Sequence, residues 1–176
     1  MPEYLLAHDL GTSGNKATLF TTDGTLIQSC VSGYGTRYYN GNWAEQNPGD
    51  WWKAVCASTK ELIQGIVPSD IVAVAFSGQM MGCVCLGKQG ELLGDGIIWA
   101  DQRAVKQADN LAARISQKEF YHITGHRISP SYSLEKLMWI RDNQPDTFRK
   151  IHKVLNPKDY VIWLLTGQLV TDYSDA

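Results

Sequence analysis

Apolar residues from Tyr4 to Ala7 make a strand-length segment that gives way at His8-Asp9-Leu10-Gly11-Thr12-Ser13-Gly14 to small, turn-forming residues. Lys16-Ala17-Thr18-Leu19-Phe20 resumes the strand pattern, Asp23-Gly24 is a two-residue hairpin turn, and Leu26 to Val31 reads as a third strand. The spacing predicts an antiparallel meander. Asn47-Pro48-Gly49-Asp50 opens a helix, with Asn47 as N-cap, Pro48 at the first helical position and Asp50 in the first turn. Its predicted apolar face is Trp52, Val55, Cys56, Leu62, Ile63 and Ile66, with Lys53, Ser58, Lys60 and Gln64 elsewhere. The β-branched run Ile71 to Phe76 predicts a strand covered on both faces.

Ser77-Gly78-Gln79-Met80-Met81-Gly82 then breaks the strand, Cys83 to Leu86 forms another, and Gly87-Lys88-Gln89-Gly90 turns the chain. Ile97-Ile98-Trp99 is the last apolar stretch before a second half read as helical throughout. There Val105, Ala108, Leu111, Ala112 and Ile115 mark one amphipathic helix, and Leu134, Leu137, Met138 and Arg141 share one side of another. Pro145 restarts the chain, and Asn156-Pro157 caps a short helix closed by Gly167. Neither repeats nor linkers interrupt this order. It predicts an α/β layer fold with a five-stranded sheet of mixed parallel and antiparallel pairs. Ribonuclease-H-like domains, which include the actin-like ATPases, use that order.

Length and composition narrow the partners. The chain has 176 residues, 44% of them hydrophobic, enough for one domain to bury a core without disulfides. Sixteen Lys+Arg against 18 Asp+Glu give a formal charge of -2 with no basic run, which argues against nucleic acid and against an anionic membrane surface. Met1-Pro2-Glu3-Tyr4 has no basic, apolar leader pattern, and no apolar run is long enough to span a bilayer. Cys30, Cys56, Cys83 and Cys85 make no CxxC pair and predict reduced thiols in a cytoplasmic protein. Cys83 and Cys85 share a strand face without further ligands at zinc spacing, and His8, His122, His126 and His152 are scattered, so all four histidines read as structural or surface residues.

Three segments could carry chemistry. In the first, Asp9 is a carboxylate at a strand end, followed by the turn Gly11, Thr12, Ser13 and Gly14 and the cation Lys16 on the returning strand. Such a set can hold a metal through Asp9 and phosphates through backbone N–H groups, the two hydroxyls and Lys16; it can also be a plain glycine hairpin. Gly11 and Gly14 enclose two residues and Ala17 follows Lys16, so this is not a Walker A loop, and no GxGxxG fingerprint follows any strand. In the second, Gln79, Met80 and Met81 offer an amide and two thioethers to a small polar ligand, or fill an irregular gap in the core. In the third, Trp99, Asp101 and Arg103 offer a sugar-stacking face, a carboxylate and a bidentate donor, or an N-cap beside a solvated arginine. Trp43-Ala44-Glu45-Gln46-Asn47-Pro48 with Trp51-Trp52 is sufficiently explained by packing and capping.

Together, and in this order along the whole chain, these segments resemble the N-terminal portion of the FGGY family of carbohydrate kinases. Leu155-Asn156-Pro157-Lys158-Asp159-Tyr160 and Thr166-Gly167 extend the resemblance. It implies an actin-like fold and transfer of the ATP γ-phosphoryl, with Mg²⁺, to a hydroxyl of a small sugar in the cleft between two such domains. D-xylulose or a related pentulose is the leading substrate, with ribulose, a polyol, glycerol or gluconate as alternatives. It also implies that Asp9 serves the metal, that Gly11, Thr12, Ser13 and Lys16 lie near the phosphates, and that Gln79, Met80, Met81, Trp99, Asp101 and Arg103 line the sugar pocket.

Two features depart from the family pattern. Pentulose-specific members commonly carry Met-His where this chain has Met80-Met81, which replaces a hydrogen-bonding side chain by an apolar one. The family's catalytic aspartate and its ATP-binding second domain fall beyond the segment equivalent to Ala176. The expectation is therefore a truncated N-terminal sugar-binding domain, 1–176, inactive by itself and either marginally stable as a monomer or self-associating, as a homodimer, through the surface left uncovered. Two further readings stay open: a non-catalytic sugar-sensing or interaction domain with the actin-like fold, and a two-metal nuclease built around Asp9.

Overall fold

The computed structural model describes residues 3–175. Met1, Pro2 and Ala176, on which the readings of the leader and of the chain end fall in part, lie outside the described residues. In chain order the elements are β1 (Tyr4–Leu10), β2 (Gly14–Thr21), β3 (Leu26–Gly33), β4 (Arg37–Tyr39), β5 (Trp43–Gln46) and α1 (Pro48–Leu62). Next come a 3-10 turn (Pro68–Asp70), β6 (Ile71–Gly78), β7 (Val84–Leu86), β8 (Gly96–Ile97), α2 (Val105–Ala112) and α3 (Gln117–Thr124). The remainder is α4 (Ser133–Asn143), α5 (Pro145–Phe148), β9 (Lys153–Leu155) and α6 (Pro157–Thr166). They fall into two compact units: the first holds β1 to β3, α1, β6 and α6, and the second holds β4, β5, β7 to β9 and α2 to α5. No helix among the described residues is long and apolar enough to cross a membrane.

The first unit is built on a sheet of order β3-β2-β1-β6, a meander extended by a parallel strand. The sheet is mixed as expected and has four strands among the described residues, not five. β1 runs on to Leu10 instead of stopping at Ala7, because the alternation continues through His8 (buried), Asp9 (exposed) and Leu10 (buried). Leu6, Ala17, Leu19 and Leu62 form a buried cluster between sheet and α1, each large side chain contributing about 1.5–3 kcal/mol. Asn47 caps α1 as predicted, its Oδ1 accepting from the Gly49 N–H at 2.8 Å. The buried side is turned from the predicted one. Trp51 is fully buried while Trp52 is only half-buried, and Ser58 lies inside.

Ser58 is tolerated there because its hydroxyl is satisfied: it donates to the Ala54 carbonyl and accepts from Asn15 Nδ2 at 2.7 Å. Asn15 Nδ2 also bonds His8 Nδ1 at 3.0 Å, His8 Nε2 meets the Thr59 hydroxyl at 3.3 Å, and the imidazole stacks on Phe76 at 5.0 Å. β6 is also unlike its prediction, for Val72 and Val74 are half exposed. α1 packs over β2 and β3, and α6 packs against β6. Gly14 is required by close approach, since a Cβ there would lie 2.9 Å from the Ser32 carbonyl oxygen.

The second unit contains two small sheets, β4-β5-β8 and β7-β9, with helices packed around Cys83, Cys85, Ile97 and Ile140. β9 is a strand inside the half expected to be all helix; three residues paired with β7 are too short to show a period. α2 ends at Ala112, before Ile115. α4 buries Glu135, Lys136 and Ile140 in place of the predicted side, and Leu134 is exposed.

Burial lowers the His8 pKa from its ordinary 6.5, with the Asn15 bond acting the other way. The unfolded chain therefore takes up a proton in a range where the folded chain resists it, and stability falls as pH drops below about 6.5. Urea unfolding of wild type and His8→Gln between pH 7.5 and 5 should show the steeper loss in the wild type. Parallel losses would exclude His8 as the source.

Candidate active site

In the first unit Asp9 and Lys16 are direct partners in the antiparallel β1–β2 register, and Asp9 pairs with Ser77 across the parallel β1–β6 ladder. Side chains of paired residues share a sheet face, so a carboxylate, an ammonium and a hydroxyl stand on three adjacent strands. They line a hollow of about 380 Å³ with Thr18, Phe20 and Ala75. Gly11, Thr12 and Ser13 form the turn that joins β1 to β2, closed by the Gly11 N–H to the Gly14 carbonyl at 3.0 Å. Tyr34 donates its hydroxyl to the Gly11 carbonyl. Burial, then the nearby Asp9 charge, pushes its phenol pKa up, so it stays a donor. Gln79, buried at the end of β6, donates its N–H to the Leu10 carbonyl at 2.9 Å.

In the second unit Asp101 is fully buried and Arg103 nearly so. Asp101 Oδ2 accepts from the Ala44 N–H at 2.6 Å and from Arg103 Nη2 at 2.8 Å, and Oδ1 accepts from Arg103 Nε and the Arg103 N–H at 2.9 Å. Arg103 Nη2 also reaches Glu45 Oε1 at 2.8 Å. The guanidinium lies 3.9 Å from the Trp43 ring centroid and 5.1 Å from that of Trp139. The guanidinium and the carboxylate are thus turned to one another, and Arg103 is not the solvated side chain that the N-cap reading supposed. Trp99 and Met80 are both exposed, about two-fifths of each accessible, and Met81 is half-buried. Cys83 and Cys85 do share a strand face, their sulfurs 3.8 Å apart. With Arg37, Glu45, Asp95 and Arg103 they border a separate cavity of about 350 Å³.

The sequence reading missed the groups that hold these loops. Lys136 is fully buried on α4, and its ammonium donates to the Met81 carbonyl at 2.5 Å and to the Ser131 carbonyl. Ser133 Oγ donates to the Gly82 carbonyl at 2.7 Å, Asn156 Oδ1 accepts from the Gly82 N–H at 2.8 Å, and Asp175 Oδ1 accepts from the Met81 N–H at 3.1 Å. Gln102 Nε2 donates to the Ser131 hydroxyl at 2.6 Å, which ties the Trp99–Arg103 segment to the same place. Asn156 stood in a motif that carried the resemblance, but nothing in its spacing pointed to Gly82.

Residues 4–176 match the model of the FGGY family of carbohydrate kinases, N-terminal domain, and the chain belongs to that family. It is 35% identical to the xylulose kinase of Escherichia coli over 168 residues, covering 96% of this chain and 34% of that protein. It is 32% identical to a gluconokinase of Bacillus licheniformis, covering all of this chain and 34% of the relative. The solved structure of ligand-bound xylulose kinase from Lactobacillus acidophilus superposes with a TM-score of 0.90 at 31% identity, over 96% of this chain and 34% of that one. These neighbours share the actin-like ATPase fold. The chain spans about a third of the length of each.

Burial lowers the Lys136 pKa to about 8, against the opposing charges of Cys83, Asp101 and Glu135 and with the help of Arg103. Between about pH 8 and the ordinary lysine value near 10.4, the unfolded chain keeps a proton that the fold has released. Stability from this group therefore rises with pH across that window, by at most about 3 kcal/mol. Denaturant unfolding of wild type and Lys136→Met at pH 7.5, 9 and 10 should show the wild type gaining on the variant as pH rises. A constant or shrinking difference would refute the assignment.

Proposed function

We propose that this chain forms the sugar-binding N-terminal part of an ATP-dependent kinase that phosphorylates a hydroxyl of a small sugar, with D-xylulose or a related pentulose as substrate. The observation that carries the reading is the register that sets Asp9 opposite Lys16 and beside Ser77, on the two strands that the glycine turn joins and their parallel neighbour. Phosphoryl transfer needs little covalent help from protein and much positioning and charge compensation. The donor set fits that need. Among the described residues no group of three or more His, Cys, Asp or Glu converges, and Mg²⁺ on ATP typically takes one or two protein carboxylates besides phosphates and water. Asp9 would hold the metal through oxygen, and Lys16, the Thr12 and Ser13 hydroxyls and the backbone from Gly11 would hold phosphate oxygens. Bound Mg-ATP would supply the phosphoryl group and neutralise its charge.

Met80, Met81 and Trp99 would contact the sugar, with Gln79 preceding them in the chain and Asp101 and Arg103 fixing the loop that carries Trp99. We assign no general base among the described residues, because Asp101 is engaged by Arg103 and Ala44 and Asp9 faces Lys16. Gluconate is the second substrate reading, favoured by the comparable likeness to a gluconokinase. The protein in its complete reading frame, assayed for ADP release with D-xylulose, D-ribulose, glycerol and gluconate, should prefer D-xylulose by about tenfold or more in kcat/KM. Lys16→Met should lower kcat by about 10², and residues 1–176 alone should give background only. Preference for gluconate would move the substrate, and no turnover on any of the four would overturn the kinase reading.

A further inference from the structure

All four backbone polar groups of the dipeptide Met81-Gly82 are bonded by side chains that arrive from elsewhere in the sequence. The Met81 N–H goes to Asp175 at 3.1 Å and its carbonyl to Lys136 at 2.5 Å. The Gly82 N–H goes to Asn156 at 2.8 Å and its carbonyl to Ser133 at 2.7 Å. Asn156 Nδ2 also bonds the Asp175 carbonyl at 3.1 Å, so two of the four groups brace each other. Ordinary loops leave such groups to water or to neighbouring backbone. Here the arrangement includes two features that cost stability. Met81 has φ of +60°, a left-handed conformation that disfavours a side chain. Lys136 is fully buried, and a buried ammonium is costly unless its donors are occupied.

Neither feature is required to close a loop, since glycine would adopt the φ and a methionine on α4 would fill the space. A fold that retains both gains a fixed conformation for the residues just before Gly82. We propose that Lys136 is a positioning residue for substrate: by joining the Met81 and Ser131 carbonyls, it fixes Met80 and Met81 in the one geometry that receives the sugar. The inference rests on the sugar-kinase reading above. Lys136 meets no substrate itself. It ties together the Met80–Gly82 loop and, through Ser131 and Gln102, the segment bearing Trp99. With the backbone polar groups of Met81 and Gly82 each engaged by a side chain, the loop offers the sugar the apolar side chains of Met80 and Met81, and a small displacement of the loop is felt as lost affinity.

The test is steady-state kinetics on the protein in its complete reading frame, with amide hydrogen exchange on the same samples. Lys136→Met should raise the sugar KM about tenfold or more and leave the ATP KM unchanged. Ser133→Ala, which removes one hydroxyl and leaves α4 in place, should raise it by a smaller factor in the same direction, and Ser133→Thr should restore it. Exchange should accelerate at Met81 and Gly82 ahead of the rest of the chain. A purely structural role would lower the active fraction and spread faster exchange throughout, with sugar KM untouched, and that result overturns the inference. If Lys136→Met does not fold, an unchanged sugar KM in Ser133→Ala overturns it equally. A wild type that phosphorylates no sugar overturns the functional reading and this inference with it, whereas an active wild type with unaltered variants overturns this inference alone.

Discussion

A lysine ammonium without solvent must find acceptors, and the second unit is organised around the ones that Lys136 finds. Its helix brings the charge to the carbonyls of Met81 and Ser131, and Ser131 is in turn held by Gln102. Removing one partner of a buried charge typically costs about 3–5 kcal/mol, so the loops cannot drift from the ammonium without a penalty comparable to much of a domain's net stability. The same logic governs the neighbouring Asp101–Arg103–Glu45 chain, where each oxygen of the buried carboxylate is matched by a donor and the guanidinium lies over the Trp43 ring with Trp139, edge-on to Trp43, beside it. Two buried ionic groups thus hold exposed apolar side chains, Met80 and Trp99, in place. Charges determine position, and apolar surface is left for contact.

The first unit solves a different problem with backbone register. Asp9 and Lys16 are partners because seven consecutive residues of β1 pair with β2 without a bulge, and a one-residue slip would send one of them to the α1 side. The hidden face of the same strands carries His8 and Asn15, which join Ser58 of α1 in a polar network: Asn15 Nδ2 bonds both neighbours, while its buried Oδ1 has no partner among the described residues, and bonds of fixed direction specify that register more sharply than leucines alone would. Gly14 allows β3 to approach closely enough to complete the turn.

Local features were legible from the residues. The hairpin at Asp23-Gly24 and the cap at Asn47 depend on neighbours in sequence, and each stands where the spacing put it; the turn into β2 comes after Leu10, three residues later than the strand end read at Ala7. Faces were less legible. Trp51 and Trp52 are both apolar and differ by one helical step, so hydrophobicity alone does not choose between them, and the choice follows from what α1 meets. The run Ile71–Phe76 announces a strand but says nothing of which helix covers it. Lys136 was invisible for a stronger reason. Its acceptor at Met81 lies 55 positions away, and a lysine inside a helical pattern is normally read as a solvated residue. The order of motifs was the signal that reached furthest, since it pointed to the carbohydrate kinase family to which the chain belongs.

The exposed Met80 and Trp99, on loops held by buried charge, are the proposed sugar contact. A crystal structure of the protein in its complete reading frame with D-xylulose bound tests it most directly. The expected result is the sugar against Met80, Met81 and Trp99, with the Lys136 ammonium still on the Met81 carbonyl. Sugar bound away from all three, or a Met81 carbonyl released from Lys136 and turned onto the ligand, would contradict it.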